Sequence, residues 1–209
     1  MSYSHVDCSG VPLDEKILPY LKKSGGFYIE IGGYDGLTQS NTKRLEDMGW
    51  TGILIEPSPS SFSKCVNNRP KSKVINAACV ASNYPHDLVE GDFNGSSMSS
   101  VGSKRTGSKT MISVKALKLK DIIESERVES VDFLSLDVEG YEYDVLDGMD
   151  IRINRPKVVL IEIYTKDYER IVRLMTDNGY TLVGNMTNYN KIDNPKWDGT
   201  HNDYLFISR

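Results

Sequence analysis

Three acidic residues, Glu56, Asp137 and Glu162, stand at or near the carboxyl ends of predicted β-strands. In an open α/β sheet those ends line the crevice where ligands bind, so the three carboxylates are expected at one site. His201 precedes the last predicted strand and is the histidine best placed to join them. Asp137, Glu162 and His201 have the chemistry of an acid–base group or of a divalent cation site for Mg²⁺ or Mn²⁺. The sequence leaves both possibilities open.

A glycine-rich turn lies close to the first of these carboxylates in the chain. The predicted strand Phe27–Ile31 runs directly into the turn Gly32-Gly33-Tyr34-Asp35-Gly36. A helix is predicted from Leu37 to Met48, and a second strand, Thr51–Ile55, ends at Glu56. An acidic residue at that position of a βαβ unit is placed to accept the hydroxyls of a ribose. The unit predicts nucleoside binding; the alternative is that the glycines serve packing alone.

The charge of the turn selects the nucleoside. A dinucleotide-binding turn has the pattern G-x-G-x-x-G, but Tyr34 occupies the place of its second glycine. Glu30 and Asp35 flank the turn, and their carboxylates would repel a pyrophosphate. S-adenosylmethionine (SAM) carries a sulfonium and an ammonium group instead, so SAM is expected rather than NAD. A nicotinamide-dependent oxidoreductase and a non-catalytic SAM-binding module are the alternatives; the latter has no need of a carboxylate at Asp137.

Composition narrows the class of protein. The chain has 209 residues and a net charge of −4, which predicts one α/β domain over 1–209 and argues against nucleic acid as a partner. Its three cysteines are widely spaced and suggest neither disulfides nor a zinc site. No signal peptide or long apolar run is present, so a cytoplasmic location without a membrane span is expected.

Strands and helices alternate along the whole chain, which predicts a mostly parallel sheet covered by helices on both faces. The remaining predicted strands are Lys73–Val80, Ser113–Leu117, Val131–Asp137, Lys157–Ile163, Tyr180–Gly184 and Asp203–Ile207. The remaining predicted helices are Leu13–Leu21 (interrupted by Pro19), Pro57–Asn68, Lys120–Ser125, Tyr141–Leu146 and Asp167–Asn178.

Two segments depart from this alternation. Residues 1–12 are polar and aperiodic and are expected to form a flexible arm. Residues 91–110 are rich in Gly, Ser, Thr and basic residues and predict a mobile, lid-like loop. Within it, Asp92–Val101 is expected near the ligand, whereas Lys104–Lys109 is favoured as plain surface. Glu139 is equally well explained as a helix cap, and the tyrosines that follow it as packing residues.

Three motifs carry a family resemblance: GFYIEIGGYDGLTQSNT, GWTGILIEPSPSSF and FLSLDVEGYEYDVLDGM. With them the chain resembles the FkbM family of SAM-dependent methyltransferases from about Leu18 to Phe206. The resemblance implies a Rossmann-like seven-stranded sheet with an antiparallel final strand. It also implies methyl transfer to a hydroxyl of a sugar or deoxysugar in a glycan. The chain also resembles methyltransferase domains of chlorovirus glycan-synthesis polypeptides, which implies fusion to, or work beside, glycosyltransferases and, if viral, the host cytoplasm.

The same resemblance implies roles for individual residues. Those expected to hold SAM are Glu30, Gly32, Gly33, Asp35 and Glu56, with Asn76, Ala77 and Asp92 beside the adenine. Those expected to face the acceptor are Ser97, Ser99, Ser100 and Glu139. Methyl transfer to an alcohol also needs a base, and Asp137 is the expected one, with Glu162 and His201 as supports. The family often has Asp and Ala where this chain has Glu30 and Gly33, and both replacements keep the chemistry.

Overall fold

A computed structural model describes residues 2–21, 24–103 and 105–209 of the chain. Within these ranges the strands are β1 Phe27–Ile31, β2 Thr51–Ile55, β3 Lys73–Ile75, β4 Ala78–Cys79, β5 Leu88–Gly91, β6 Ile112–Leu117, β7 Phe133–Leu136, β8 Val158–Tyr164, β9 Tyr180–Asn185 and β10 His201–Ser208. The helices are α1 Leu13–Ile17, α2 Lys43–Asp47, α3 Pro59–Asn68, α4 Leu119–Ser125, α5 Glu142–Met149 and α6 Tyr168–Asp177. Short 3₁₀ turns cover Leu18–Tyr20 and Thr165–Asp167.

Seven strands form the main sheet in the order β3-β2-β1-β7-β8-β10-β9. The strands from β3 to β8 are parallel, whereas β10 runs antiparallel to both of its neighbours. All seven residues of β8 are buried, as its near-continuous apolar sequence predicts for a central strand. The predicted α/β class, with a mostly parallel seven-stranded sheet and an antiparallel last strand, is confirmed.

Alternation along β1 divides the core between the two faces of the sheet. Ile29 and Ile31 pack into the cluster that includes the apolar residues of α4, α5 and α6. Tyr28 belongs to the cluster that includes α1, α2 and α3. Because side chains along a strand alternate, Glu30 shares the face of Tyr28 and lies beneath the second group of helices.

Helix α2 is shorter than expected, because the backbone after the glycine-rich turn does not form the hydrogen bonds of a helix. Gln39 has a left-handed backbone with φ +63°, which interrupts a helix. The amide N–H of Asn41 donates to a carboxylate oxygen of Glu30 at 2.8 Å instead of to a helical carbonyl. The helix therefore begins only at Lys43. Helix α3 matches its expectation more closely: Ser58 caps it, and Pro59 occupies its first turn.

A second, three-stranded sheet in the order β4-β6-β5 lies between β3 and α4 in the chain. Strand β5 was not predicted, and the expected strand Lys73–Val80 is divided into β3 and β4. The loop from β5 to β6 is tied back by a bridge between Gly91 and Val101. This small sheet therefore presents the predicted lid segment to the edge of the main sheet.

The amino-terminal segment makes more contacts than a loosely held arm would. The N–H of Cys8 donates to the carbonyl of Thr187 at 2.8 Å, and Lys16 pairs with Asp7 at 2.6 Å. Residues 2–12 thus lie against the loop after β9; their flexibility stays a prediction. None of the helices within the described ranges has the length and apolar character needed to cross a membrane.

Candidate functional site

A cleft opens at the carboxyl ends of β1, β2 and β7, where ligands of open α/β sheets bind. It contains about 760 Å³ of empty space, its open side included, which is enough for a nucleoside-sized ligand. Nine of the residues predicted for the site line it: Gly32, Gly33, Glu56, Ala77, Ser97, Ser99, Ser100, Asp137 and Glu139. Six do not line it: Glu30, Asp35, Asn76, Asp92, Glu162 and His201.

Gly32 brings the ends of β1 and β7 into contact. Its φ is +87°, and a Cβ at this position would lie 1.8 Å from the carbonyl oxygen of Asp137. No side chain fits at that distance, so glycine is required for the close approach. The N–H of Gly32 donates to the carbonyl of Ile55 at 3.0 Å, which joins the turn to β2 as well.

Glu56 is buried at the end of β2 and lines the cleft. Its carboxylate accepts the backbone N–H groups of Tyr34 and Ser58, each at 2.8 Å. Burial raises the pKa of Glu56 to about 7 despite these two hydrogen bonds. Asn76 lies behind it and donates to the carbonyls of Glu56 and Pro57, at 2.8 and 2.9 Å. Asn76 therefore holds the backbone of this corner with its side chain.

We expect SAM to bind more tightly as the pH rises through 7, because the ribose hydroxyls need the ionised carboxylate of Glu56. With a pKa of about 7 in the free protein, affinity at pH 6 should be about tenfold weaker than at pH 8. Glu56→Gln should weaken binding at pH 8 by about 1–3 kcal/mol and flatten this dependence. Calorimetric titration of both proteins from pH 6 to 8 measures the effect. An equally steep pH dependence in the variant would remove Glu56 from the ribose site.

Glu30 and Asp35 lie differently from what the charge of the turn suggests. Glu30 accepts hydrogen bonds from Ser40 Oγ, at 2.9 Å, and Thr42 Oγ1, at 2.6 Å, and it does not line the cleft itself, although Ser40 does. Asp35 accepts the N–H groups of Leu37 and Thr38, at 2.9 and 2.7 Å. Burial opposes ionisation of Asp35, but these hydrogen bonds outweigh it and lower its pKa. Both carboxylates thus shape the loop that borders the cleft, and their direct contact with SAM stays a prediction.

Asp92 folds the lid segment. Its carboxylate accepts the N–H of Ser100 at 2.6 Å and the hydroxyl of Thr106, and its carbonyl accepts the hydroxyl of Ser99 at 3.0 Å. These bonds curl residues 92–103 back toward residues 105 and 106, and Ser97, Ser99 and Ser100 line the cleft. Asp92 itself is buried under the loop. Its charge therefore stabilises the lid segment.

Arg105 attaches the lid segment to the far side of the cleft. Its guanidinium donates to Asp198 at 2.5 Å and to Thr200 Oγ1 at 3.1 Å, and its Nε lies 3.4 Å from Glu139. Only 15% of the side chain is exposed. Burial opposes the charge of Arg105, but its acidic partners raise its pKa. The neighbouring Lys104, expected at a protease-sensitive point, lies outside the described residues.

Trypsin cleavage after Arg105 should slow when SAM and an acceptor are both bound. Cleavage requires Arg105 to leave Asp198 and Glu139, and a ligand beneath the segment should make that opening rarer. Cleavage after Arg152, whose side chain is 78% exposed in a distant turn, serves as the internal control and should keep its rate. Mass spectrometry of timed digests measures both sites. Equal rates at Arg105 with and without ligands would show that the segment is ordinary surface.

Asp137, Glu139 and Glu162 form a compact group of carboxylates beside the cleft, with one oxygen of each within 4.8 Å of the others. Burial, followed by the charges of Glu139 and Asp203, raises the pKa of Asp137 well above its ordinary value. Burial and the charge of Asp137 raise that of Glu162 in the same way. Glu139 adopts a left-handed backbone with φ +57° and accepts the hydroxyl of Tyr164 at 2.5 Å. Such strain in a non-glycine residue is frequent at functional sites.

His201 and Asp203 approach this group from β10. Nε2 of His201 lies 3.2 Å from Oε1 of Glu162, and Asp203 is the cross-strand neighbour of Glu162. Burial lowers the pKa of His201 and raises that of Asp203 to about 7. His201 begins β10 rather than preceding it, and Glu139 replaces it in the group of three with the spacing of a metal site. The alternative of Glu139 as a helix cap is not realised, because no side chain caps α5; Glu142 instead accepts the N–H of Gly140 at 2.9 Å in the turn before the helix.

Several cleft residues were missed in the sequence. Tyr34, Gln39, Phe93 and Tyr141 line the cleft, although only packing was expected of Tyr141. Tyr164, also expected to pack, donates to Glu139. The positive φ of Tyr34 and Gln39 has no sequence signal, because neither is a residue type that favours that conformation. Phe93 follows Asp92 directly, so its aromatic ring beside an expected adenine-binding residue was the available signal.

The family model of the methyltransferase FkbM domain matches residues 30–182. The match covers more than half of the chain and includes the glycine-rich turn, Glu56 and the carboxylate group. The chain belongs to the FkbM methyltransferase family. Residues 30–182 also contain the loop that carries Asp92 and Arg105.

One curated relative of this FkbM-family chain is the hexuronic acid methyltransferase AglP of Haloferax volcanii. The two are 23% identical over 128 residues, which is 60% of this chain and 52% of the relative. The chain therefore spans about half the length of the relative that it matches.

Solved structures of similar fold are methyltransferases. An O-methyltransferase from Bacillus cereus, in complex with SAH, has a TM-score of 0.53 and 12% identity, covering 94% of this chain and 80% of that one. Fibrillarin from Aeropyrum pernix, with bound SAM, has a TM-score of 0.54 and 15% identity, covering 88% and 67%. At these identities the likeness shows the class I methyltransferase fold. Together with the family, it makes SAM the cofactor, and it does not favour the nicotinamide alternative.

Proposed function

We propose that the chain transfers the methyl group of SAM to a hydroxyl oxygen of a sugar within a glycan. The observation that supports this most directly is the shared cleft, in which Gly32 and Glu56 lie beside Asp137 and Glu139. The first pair suits the ribose end of SAM, and the second suits a polar acceptor next to its sulfonium. The relative that methylates a hexuronic acid supports a carbohydrate as the acceptor.

The chemistry requires alignment and removal of one proton. The acceptor oxygen attacks the methyl carbon as the carbon–sulfur bond breaks, and S-adenosylhomocysteine leaves with the electron pair. Holding the two partners in line supplies much of the rate acceleration. The acceptor's proton passes to the Asp137 carboxylate, because a neutral alcohol that keeps its proton is a poor nucleophile. Glu162 and His201, which lie 3.2 Å apart, support Asp137 in this role.

The lid segment supplies the acceptor side of the cleft in this proposal. The hydroxyls of Ser97, Ser99 and Ser100 match the hydrogen-bonding groups of a sugar, whose donors and acceptors alternate around the ring. Attachment of the segment through Arg105 excludes water from the sulfonium once both substrates are bound. Glu30 and Asp35 hold the loop that borders SAM.

Transfer of a labelled methyl group from SAM to a panel of sugars and glycans tests the proposal. The panel should contain deoxysugars, neutral hexoses and hexuronic acids, and the buffer should contain Mg²⁺. The expected result is methylation of at least one sugar, with the position identified by NMR. Binding of SAM by calorimetry without transfer to any acceptor would favour the non-catalytic SAM-binding module. Binding of NAD in place of SAM would contradict both.

The partners and the cellular compartment of the enzyme can be proposed as well. The net charge of −4 supports a glycan over a nucleic acid, because the chain has no cationic excess for phosphates. We propose that the enzyme acts in the cytoplasm alongside glycosyltransferases, which build its acceptor glycan. Cys65 and Cys79 are buried as free thiols, as is usual in a reducing compartment.

A further inference from the structure

The three-carboxylate group contains a buried oxygen with no hydrogen-bonding partner. Glu162 is 7% exposed, and its Oε1 faces Nε2 of His201 at 3.2 Å. Its other oxygen, Oε2, accepts no hydrogen bond from any N–H or O–H of the described residues. A buried carboxylate oxygen left unpaired is costly, so it is satisfied either by a bound cation or by a proton shared with Asp137.

Two further carboxylates lie beside Glu162, and their negative charges favour a bound cation. Asp137, Glu139 and Glu162 each offer an oxygen within 4.8 Å of the others, at a position that borders the cleft. Of these three carboxylates, the cations among the described side chains reach two: the Arg105 guanidinium lies 3.4 Å from Glu139, and His201 lies 3.2 Å from Glu162. Asp137 receives no ion pair from the described residues. When all three carboxylates are ionised, the neighbouring cationic side chains therefore do not balance their charge.

We propose that Asp137, Glu139 and Glu162 form a binding site for a hard divalent cation, Mg²⁺ or Mn²⁺. An all-oxygen, carboxylate donor set at this spacing suits these ions. Zinc is a poorer match, because the group contains neither a thiolate nor a histidine. Tyr164 and Arg105 hold Glu139 through its Oε2 and so fix the direction of that ligand.

The ion gives the site a means of recognising its acceptor; this role rests on the proposed function. An octahedral ion that takes one oxygen from each carboxylate keeps half of its positions for other oxygens. Two neighbouring hydroxyls of a sugar ring can fill two of them, which orients one hydroxyl toward the methyl group. As a Lewis acid the ion also makes that hydroxyl more acidic. Asp137 keeps a second carboxylate oxygen for the released proton.

Titration of the metal-stripped protein with Mn²⁺, followed by electron paramagnetic resonance in the absence of SAM, tests the site directly. The expected result is one saturable site with a Kd below millimolar in the wild type. Asp137→Asn and Glu162→Gln should each weaken it at least tenfold, whereas the control Asp177→Asn, on the exposed end of α6, should not. SAM affinity and thermal unfolding confirm that each variant is folded.

Methyl-transfer assays separate this site from the proposed function. In EDTA the wild type should lose at least tenfold in turnover and regain it with added Mg²⁺ or Mn²⁺. Absence of saturable Mn²⁺ binding, or equal Mn²⁺ affinity in all variants, would overturn the site. A proton shared between Asp137 and Glu162 would then explain how these carboxylates lie so close together. Methylation that persists in EDTA would overturn the catalytic role of the ion and leave the proposed function intact. Mn²⁺ binding without methylation of any sugar would support the cation site and contradict the proposed function.

Discussion

Asp137→Asn should lower turnover by roughly two to four orders of magnitude while leaving the fold and SAM binding largely intact. The substitution preserves size and removes both the charge and the basicity of the side chain. Asp137 borders the cleft beside Glu139, so it faces whatever occupies the acceptor end. Steady-state kinetics with the sugar identified in the panel, combined with SAM titration, measures the two effects separately.

Asp177→Asn is the matched control for this prediction, because it makes the same chemical change on an exposed surface. Its turnover should equal that of the wild type. A folded Asp137→Asn enzyme with near-normal turnover would transfer the catalytic role to Glu162 or His201. A variant that has lost SAM binding as well would assign Asp137 to the cofactor.

Arg69→Met should destabilise the protein by about 3–5 kcal/mol, because it removes the cation from a buried network and leaves two carboxylates uncompensated. The guanidinium of Arg69 has no exposed surface and lies 3.0 Å from Glu46 and 3.3 Å from Glu30. It also donates to the Tyr28 hydroxyl at 2.7 Å and to the Gly36 carbonyl at 3.1 Å. Burial opposes its ionisation, but the acidic partners raise the pKa of Arg69, so the charge is retained.

Urea unfolding measures this loss as a lower midpoint with an unchanged slope. Arg152→Met, at a side chain that is 78% exposed, should change the unfolding free energy by less than about 0.5 kcal/mol. Adding Glu30→Gln and Glu46→Gln to Arg69→Met should recover part of the stability, because the uncompensated charges are then absent. No recovery in the triple variant would mean that lost packing, rather than charge, is the cause.

The strands were largely predictable from the sequence, and the reason is physical. β1 and β2 have the predicted bounds, because β-branched and aromatic residues are bounded there by glycines and a carboxylate. Ends of parallel strands meet at one edge, so the position of Glu56 and Asp137 at the cleft also followed. The short strand β5 was missed because only its pairing with β6 defines it.

Glu30 shows that motif reasoning does not reveal the partners of a buried side chain. Alternation with Ile29 and Ile31 places Glu30 on the face of Tyr28, where it accepts hydrogen bonds from Ser40 and Thr42; its contact with SAM stays a prediction. The strand period alone contained that information. Its partner Arg69 lies 39 residues away in the chain, and no local pattern links the two. The contribution of Glu139 and Arg105 likewise depends on tertiary contacts between the lid segment and β8.

Strand β10 lies between β8 and β9, although it follows both in the chain. A newly made polypeptide therefore exposes one edge of β8, whose seven residues are all buried in the finished fold, until His201–Ser208 has emerged. Such an apolar edge is a template for pairing with other chains, and late pairing between distant segments slows folding. His201 and Asp203 arrive with this strand, so the acceptor end of the site is completed last. Aggregation during overproduction is thus expected to fall when synthesis is slowed or a chaperone covers this edge.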